Sequence, residues 1–350
     1  MSTRATMADV AREAGVSPST ASRVLYKSGY VSQENRERVL AAVSKVGYRP
    51  NIQARSLRNQ RSYALGLVVD SATNNAHFAH IAQAMRIEAA AAGYSLLTVD
   101  HEYSAAMERE GLKHLLDHNV EAIVVCHPFR LENFNIVRKS NVPLIQIERK
   151  NLGNVHRVEI DPIPGIDAAV RHLVALRHHS IGYVSGTSVG HAAPQKNASI
   201  EDDRIACFLS AVSRFGLKLE NCPIWQVPYD FEHNDGPLRG YTIAKELLQR
   251  QNYPSALIAG GDVLGAGILQ AAGELGLSVP RDLSLVGFDD SLAKFLAPPL
   301  STIAQPHGEI ARQVLQITRS LVYHDAPEPL RAVAATRFVS RQSTGPAPVS

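Results

Sequence analysis

The chain has 350 residues, of which 45% are hydrophobic and 20% charged, a balance typical of a globular protein with two or three domains. It contains no apolar run of about 18 residues, and its first residues show no apolar core before a cleavage site, so neither a membrane span nor a secretory signal is predicted and we expect a cytoplasmic protein. The three cysteines, Cys126, Cys207 and Cys222, are widely spaced and odd in number, which argues against a disulfide framework and a zinc finger.

The charge is unevenly distributed, although the net value is only +3. Residues 1–61 contain 11 lysines and arginines against four aspartates and glutamates, whereas the other residues contain 25 against 29. A compact basic segment on a mildly acidic body indicates that the segment meets a polyanion such as DNA. The alternative is a basic tail without a function, and the helical patterning of the segment argues against it.

The basic segment begins with two short helices that carry their own capping residues. Thr6 followed by Asp9 has the spacing of a capping box, and Gly15 is expected to end the first helix. Ser17 then caps a second helix, with Pro18 at its first position, where a missing N–H costs nothing. Two helices joined by a tight glycine-containing turn predict a helix-turn-helix motif.

A third helix is predicted between Ser32, its N-cap, and Gly47, where it ends. Its apolar stripe consists of Val39, Leu40, Val43 and Val46.

The second helix of such a motif presents its N-terminal residues to the bases of the major groove. Arg23 suits either paired hydrogen bonds to guanine or a phosphate contact, and the sequence leaves both open. Tyr26, Lys27, Asn35 and Arg36 are better placed for the DNA backbone. The predicted DNA-binding residues of the headpiece are Thr6, Ser17, Pro18, Ser19, Ser22, Arg23, Tyr26 and Asn35.

A short segment after Pro50 joins the headpiece to the rest of the chain. It is too short to form a stable helix alone in water and needs a partner helix or DNA. An exposed Leu57 beside basic residues fits a wedge that enters the minor groove, and a plain linker with Leu57 packed on the core fits equally well. Its predicted DNA contacts are Asn51, Ala54, Arg55 and Leu57.

Short apolar runs alternate with helical stretches from residue 64 onward, beginning with a helix over about 77–92. The predicted strands span residues 64–69, 94–99, 122–126, 143–147, 181–185, 256–259 and 283–286. Such alternation predicts parallel sheets covered on both faces, and the number of units predicts two lobes. Ligands of these folds bind outside the carboxyl ends of the strands, so we expect a binding cleft between the lobes.

Charged residues follow several of these strands, and charged groups bind polyols and sugars through paired hydrogen bonds. Any one of these acids also suits a helix cap or a loop, and Arg204 is the candidate cation among them. The acids are Asp70, Glu148, Asp161, Asp262, Asp289 and Asp290.

The sequence resembles the LacI/GalR family of transcription regulators. Residues 6–25, TMADVAREAGVSPSTASRVL, are similar to its headpiece, and residues 47–51 and 54–57 to its hinge. The core signatures that it resembles are LSLVGFDD at 283–290, PPLSTI at 298–303 and HLVALRH at 172–178. The similarity covers about residues 4–341.

This resemblance implies an N-terminal all-α helix-turn-helix headpiece at 4–50, a hinge at 51–61, and a two-lobed α/β periplasmic-binding-protein-like core with parallel sheets at 62–341. It also implies a homodimer, double-stranded DNA with a palindromic operator as partner, and a small-molecule effector, a sugar or a sugar derivative. No cofactor, metal or catalytic residue is expected. The Ser/Pro/Gly-rich residues 342–350 are expected to be a disordered tail.

The resemblance also assigns residues to the effector site and favours the wedge role of Leu57. Arg204 and Asp289 fall on the effector-binding arginine and aspartate of the family, and Glu148 falls where members often have aspartate. The predicted effector contacts are Asp70, Asn75, Phe78, Glu148, Arg204, Phe231, Asp262 and Asp289.

Departures from the family pattern surround the same pocket. Gly261 stands where many members carry asparagine, so one expected hydrogen bond to the effector is missing. Residues 186–204 and 231–240 look longer than usual. These differences predict an effector that differs from a simple pyranose or is larger.

Two other functions compete with regulation. An enzyme would need paired catalytic groups, but Asp289 and Asp290 are adjacent on a strand end and point apart, and no nucleophile elbow, Walker loop or zinc-protease motif is present. His172, His178 and His179 suit capping of a helix C-terminus better than a metal site. A transport-type binding protein fits the body alone, but the basic headpiece argues against it.

Overall fold

The computed structural model describes residues 5–26, 28–48, 61–70, 76–148, 152–188, 200–229, 236–250, 252–323 and 329–348. The chain divides into two compact units, Met1–Ser62 and Tyr63–Ser350, so the division falls at the end of the predicted hinge. Within the described ranges, every helix falls short of the length and apolar character needed to cross a bilayer.

The first unit contains three helices, and their ends are set by the capping residues that the sequence shows. They are α1 (Met7–Ala14), α2 (Pro18–Leu25) and α3 (Gln33–Val46). The Thr6 hydroxyl accepts from the Asp9 N–H, and the Asp9 carboxylate accepts in return from the Thr6 N–H at 2.9 Å, which completes the capping box. Gly15 ends α1 with a φ of 62°, in the left-handed region that favours glycine.

Small side chains let these helices close a core of their own. The stripe predicted on α3 is partly wrong, because Leu40 is 50% exposed while Val39 and Ala42 are buried. The difference is a rotation of the helix that turns Leu40 away from α1 and α2. The buried residues of this core are Val10, Ala11, Ala14, Ala21, Val24, Val39, Ala42 and Tyr48.

The second unit contains two six-stranded sheets. The strands are β1 (Ala64–Val69), β2 (Ser95–Asp100), β3 (Ile123–Val125), β4 (Leu144–Ile147), β5 (His156–Asp161), β6 (Ile181–Ser188), β7 (Ile224–Tyr229), β8 (Ala256–Ala259), β9 (Ser284–Asp289), β10 (Ser301–Ala304), β11 (Arg331–Ala335) and β12 (Arg337–Val339). The first sheet has the order β11-β5-β4-β3-β1-β2 and is parallel throughout. The second has the order β12-β10-β9-β8-β6-β7 and is parallel except for β12. The sequence pattern predicted seven of the strands and did not predict β5, β7, β10, β11 and β12.

Helices cover both faces of each sheet, as near-continuous apolar strands require. The helices are α4 (Ala76–Ala91), α5 (Ala105–Asp117), the short α6 (Asn135–Arg138), α7 (Ile163–Ala175), α8 (Ile200–Arg214), α9 (Gly236–Leu248), α10 (Asp262–Glu274) and α11 (His307–Tyr323). Four apolar clusters result, one on each face of each sheet, and β3, β4 and β8 are buried along their whole length.

The chain passes between the two lobes three times. The passages lie after β5, after β10 and between β11 and β12, so β11 completes the first sheet while β12 completes the second. The first and third passages lie side by side, since the Thr336 N–H donates to the Asp161 carbonyl at 3.0 Å. The carboxyl ends of the parallel strands, where the sequence places its acids, border the cleft between the lobes.

The expected disordered tail is wrong for residues 342–348, which are packed on the second lobe. Ser343 is fully buried, and its hydroxyl donates to the Leu285 carbonyl at 2.6 Å and accepts from the Ser301 N–H at 2.7 Å. The Gly345 carbonyl lies 3.0 Å from the His178 ring. The segment is ordered because backbone groups of β9 and β10 need its polar atoms, a long-range demand that composition does not reveal.

His178 also differs from the expectation that it caps a helix. Helix α7 ends at Ala175, and the buried His178 ring instead joins hydroxyls of Ser255 and Ser284 at 2.8 and 3.0 Å. Burial lowers the pKa of this histidine. Its role is to fix strand ends and the C-terminal segment, and the described residues contain no metal-binding group of three ligands.

Candidate functional site

Helix α2 presents a polar face to solvent. Pro18, Ser19 and Arg23 are exposed, while Ser22 and Tyr26 are half-buried. The exposed residues lie on the face opposite to Ala21 and Val24, which fill the headpiece core. This arrangement exposes a guanidinium and a hydroxyl on the face of α2 that such motifs turn toward a groove of DNA.

The other predicted headpiece contacts, Thr6, Ser17 and Asn35, make hydrogen bonds at helix N-termini. The Ser17 hydroxyl accepts from the Thr20 N–H at 3.1 Å and lies 2.8 Å from the Ser19 hydroxyl. Thr6 belongs to the capping box, and half-buried Asn35 lies in the first turn of α3, where its N–H donates to Ser32. Capping places these groups at helix N-termini, which favour anions such as phosphate.

Sequence reasoning missed Tyr30, the most exposed large side chain of the headpiece, at 90%. It lies between α2 and α3. Seven predicted contacts fall outside the described residues, namely Lys27, Asn51, Ala54, Arg55, Leu57, Asn75 and Phe231.

The centre of the cleft is Arg204, on the first turns of α8 in the second lobe. It is 7% exposed, and its guanidinium lies 4.0 Å from the centroid of the Phe288 ring. Its Nη2 donates to Glu148 of the first lobe at 2.9 Å, and its Nη1 donates to Glu201 at 2.9 Å. The Arg204–Glu148 pair therefore joins the two lobes.

Glu201 was missed by the sequence analysis, although its position three residues before Arg204 puts both on one face of a helix. Burial raises the pKa of Glu201, and Arg204 opposes that shift. Burial acts to lower the pKa of Arg204, but Glu201 and Glu148 outweigh it, and the pKa lies above its usual value. The guanidinium is thus held in its charged form by carboxylates on both sides.

Three strand-end acids adopt left-handed backbone conformations. The φ angles of Glu148, Asp289 and Asp290 are 66°, 97° and 56°. Non-glycine residues rarely adopt such angles, and such outliers cluster at binding sites where the surroundings hold them in place. Each turn redirects a carboxylate at the point where its strand meets the cleft.

Asp289 and Asp290 have different partners, as their adjacent positions lead one to expect. Gln305 donates from Nε2 to Asp289 Oδ1 at 2.6 Å, and it is itself only 5% exposed. Asp290 pairs with Arg341 at 2.6 Å. Gln305 lies on the passage after β10. Like Glu201, it was not predicted from local sequence patterns.

On the first lobe, Asp70 ends β1 and is 1% exposed. Its Oδ2 lies 2.7 Å from Nδ1 of His127, and the His127 carbonyl lies 3.2 Å from the ring of His101. These residues follow β1, β2 and β3, so the strand ends converge as predicted. Phe78, on α4, is half-buried and packs against the apolar cluster of this lobe.

The expectation that Asp262 contacts the effector is not supported by its position. It is fully buried, and its Oδ2 accepts from three consecutive backbone N–H groups, at residues 291, 292 and 293. Oδ1 accepts from the Thr302 hydroxyl at 2.8 Å. Burial and the nearby Asp289 raise the pKa of Asp262 to about 7. Asp262 therefore shapes the loop after β9, because every oxygen is occupied inside the lobe.

Comparisons with known protein families cover both units. Residues 6–51 match the model described as bacterial regulatory proteins, lacI family, and residues 170–344 match that of a periplasmic binding protein-like domain. The HTH-type transcriptional regulator AscG of Escherichia coli strain K12 is 32% identical over 315 residues, which cover 89% of this chain and 90% of AscG. The HTH-type transcriptional repressor PurR of Haemophilus influenzae is 29% identical over 323 residues, with 91% and 92% coverage.

Solved structures share the fold. A lac repressor dimer bound to operator and the anti-inducer ONPF aligns with a TM-score of 0.71 at 23% identity, covering 98% of this chain and all of that one. A complex of the transcriptional regulator CelR with cellobiose aligns with a TM-score of 0.66 at 23% identity, covering 97% and 100%.

Proposed function

Because this chain belongs to the LacI family of bacterial regulatory proteins, we propose that it is a cytoplasmic, sequence-specific transcriptional repressor controlled by a small molecule. The observation that carries the proposal is the capped α1–α2 motif, in which Pro18, Ser19 and Arg23 are exposed on the second helix. Such a motif places its second helix in the major groove. The relatives named as transcriptional regulators support this function, and none of them is named as an enzyme.

The DNA-binding form in this proposal is a homodimer on a palindromic operator. Two copies of α2 read successive major grooves, about 34 Å apart. Between them Asn51, Ala54 and Arg55 contact the backbone and Leu57 enters the minor groove, where it unstacks a base step. The lac repressor dimer bound to operator shares the fold and supports this arrangement.

The effector binds between the lobes, and it is a carbohydrate or a related metabolite. Support comes from the converging strand ends and from the CelR–cellobiose complex, which has the same fold. The Arg204–Glu148 pair links the lobes, so a ligand that enters between them changes their closure and hence the affinity for operator. A coupling of about 1 to 3 kcal/mol is typical of such control.

The first test is a selection of bound sequences from random duplex DNA, with full-length protein at about 150 mM salt. A palindrome with a flexible central step is expected. Arg23→Ala should weaken binding to the selected site by about 1 to 3 kcal/mol, because a base or phosphate contact is lost. Arg281→Ala, an exposed arginine of the second lobe, is the matched control. Absence of an enriched sequence, with and without pooled metabolites, would contradict the proposed function.

Two further variants test the parts of the mechanism separately. Leu57→Ala should reduce DNA bending on the selected site, and unchanged bending removes the wedge. Asp289→Asn should abolish the response to effector while operator affinity without effector stays near that of the wild type. Asp117→Asn, on the exposed end of α5, is its control. Effector affinity that is unchanged by Asp289→Asn in calorimetry contradicts the assigned pocket.

A further inference from the structure

Among the described residues, acidic side chains outnumber basic ones around Arg204. Glu148 and Glu201 both contact Arg204, and Asp289 lies close enough to influence its titration. Within the described part of the chain, Arg204 is the one lysine or arginine that pairs with either glutamate, and no ion pair reaches Asp289. Three carboxylates thus share a single guanidinium. Excess charge of one sign in a poorly hydrated site is costly unless a ligand of the opposite sign compensates it.

Arg204 makes three hydrogen bonds to the protein, which leaves its Nε–H and one Nη2 hydrogen without a partner among the described residues. Its Nη1 donates to Glu201 and to the Gly260 carbonyl, at 2.9 and 3.3 Å, and its Nη2 donates to Glu148. One face of the guanidinium lies over Phe288. A carboxylate or phosphate that approached this guanidinium would lie near Glu148, Glu201 and Asp289, so the acids around Arg204 disfavour an anionic ligand.

Buried hydrogen-bond acceptors without a donor also favour a ligand that carries donors. Asp70 Oδ1 and Gln305 Oε1 are buried acceptors that receive no hydrogen bond from any described residue. Glu148 uses only Oε1 and Asp289 only Oδ1, so the second oxygen of each carboxylate, which is not fully buried, can accept from a ligand. Buried acceptors are nearly always satisfied in folded proteins. A ligand that supplies donors would satisfy Asp70 and Gln305, and the Tyr183 hydroxyl, which is also buried without a partner among the described residues, can itself donate or accept.

The space for a donor lies beside Asp289. Gln305 fixes one oxygen of that carboxylate at 2.6 Å. The other oxygen, Oδ2, lies 3.7 Å from the point where a side chain on Gly261 would begin, and nothing closer than 3.7 Å surrounds that point. The glycine opens room next to Asp289 and takes away the amide that a side chain such as asparagine would have offered.

We propose that the effector is a small polyol that carries a protonated amine, the chemistry of the amino sugars, with its ammonium group against Asp289 and Glu148. This inference rests on the proposed function and names the class of its effector. An ammonium group has three donors and no acceptor, which matches both the excess charge and the unmet acceptors. Hydroxyl groups of the polyol satisfy Asp70 and Gln305.

The test is isothermal titration calorimetry of the full-length protein against three matched sets of compounds. The first set contains glucosamine, galactosamine and mannosamine, and the second contains their N-acetyl derivatives. The third set contains gluconic, galactonic and mannonic acids, which carry a carboxylate and no amine. Saturable binding is expected in the first set alone, with at least a tenfold loss of affinity on acetylation. Tighter binding in the second or third set, or no binding in the first, overturns the inference.

Two variants tie the result to the residues. Asp289→Asn and Glu148→Gln keep the shape of each side chain and remove one charge, so each should reduce the preference for amine over N-acetyl compound at least tenfold. Glu220→Gln makes the same change at a side chain that is 72% exposed on the second lobe and should leave the preference unchanged. A preference that persists in both cleft variants contradicts the placement of the ammonium group.

Operator binding, measured in parallel by fluorescence anisotropy, separates this inference from the proposed function. If the protein binds its selected operator but no amine, only the effector class is wrong. If it binds an amine in the cleft but no DNA sequence, the regulatory function is wrong while the ligand chemistry stands.

Discussion

A cluster of three histidines at the junction of the lobes makes the stability of the core sensitive to acid. His307, at the start of α11, lies 3.1 Å from the His77 ring and stacks on His80 at a centroid distance of 5.5 Å. His80 in turn contacts the carbonyl of Ser291 in the second lobe at 3.0 Å. Burial, with the neighbouring His77 and His80, lowers the pKa of His307 to about 3. The folded core therefore holds His307 neutral.

The direction of the effect follows from linkage. The unfolded chain protonates His307 near its ordinary pKa of 6.5, whereas the folded core does not until about pH 3. Stability from this group is complete above pH 6.5 and is lost as the pH falls toward 3. Lowering the pH from 7.5 to 5.5 should cost about 1.4 kcal/mol through His307 alone, and lowering it to 4.5 about 2.7 kcal/mol.

The perturbation is His307→Gln, which keeps a hydrogen-bonding group toward His77 and removes the titration. The free energy of unfolding is measured by urea denaturation at pH 7.5 and 5.5, followed through the fluorescence of Trp225, the single tryptophan, which packs in the second lobe. The variant should lose about 1.4 kcal/mol less than the wild type over this range. His114→Gln, at an exposed histidine of α5, should behave as the wild type. Equal pH dependence of His307→Gln and wild type would refute the assignment.

Three other substitutions test the packing and the caps. Gly267→Ala should destabilise the core by about 3 kcal/mol or more, because the new methyl group would lie 1.9 Å from the Pro237 carbonyl oxygen of α9. The control is Gly273→Ala, which places its methyl group in open space and should stabilise the core by up to about 1 kcal/mol. Thermal unfolding measures both variants. Ser343→Ala should lower the free energy of unfolding by about 1 to 3 kcal/mol, because the buried Ser301 N–H loses its acceptor. Ser213→Ala, at an exposed serine of α8, is the control. An unfolding midpoint in urea equal to that of the wild type would show that the C-terminal segment is dispensable for stability. Ser17→Ala should cost the headpiece about 1 kcal/mol by circular dichroism, and no change would show that Pro18 alone sets the start of α2.

Local hydrogen bonds explain which parts of the fold the sequence could predict. The caps at Thr6 and Ser17 and the glycine stop at Gly15 depend on partners three or four residues away, so their spacing in the chain is also their spacing in space. Buried strands such as β1 and β8 were predicted for a similar reason, since a parallel strand covered on both faces is apolar along its length.

Long-range contacts explain the parts that could not be predicted. The antiparallel pairing of β12, the order of residues 342–348 and the hydrogen bond from Gln305 to Asp289 all depend on partners from distant segments. Asp262 shows the same limit for function. Its place at the end of a strand predicted a ligand contact, and only the three backbone N–H groups of residues 291–293 reveal that it supports the loop instead.

The passage after β10 gives the site a direct connection to the junction of the lobes. Gln305 holds the Asp289 carboxylate, and two residues later His307 contacts His77 of the first lobe. A ligand bound to Asp289, as proposed, would compete with Gln305 for that carboxylate. A change in the closure of the lobes would alter the contact between His307 and His77. Because both residues lie on one short segment, we expect occupancy of the proposed site and closure of the lobes to affect each other. Binding of the effector and the pH dependence carried by His307 are therefore expected to be coupled: an effector that favours the closed lobes should protect the histidine cluster from acid.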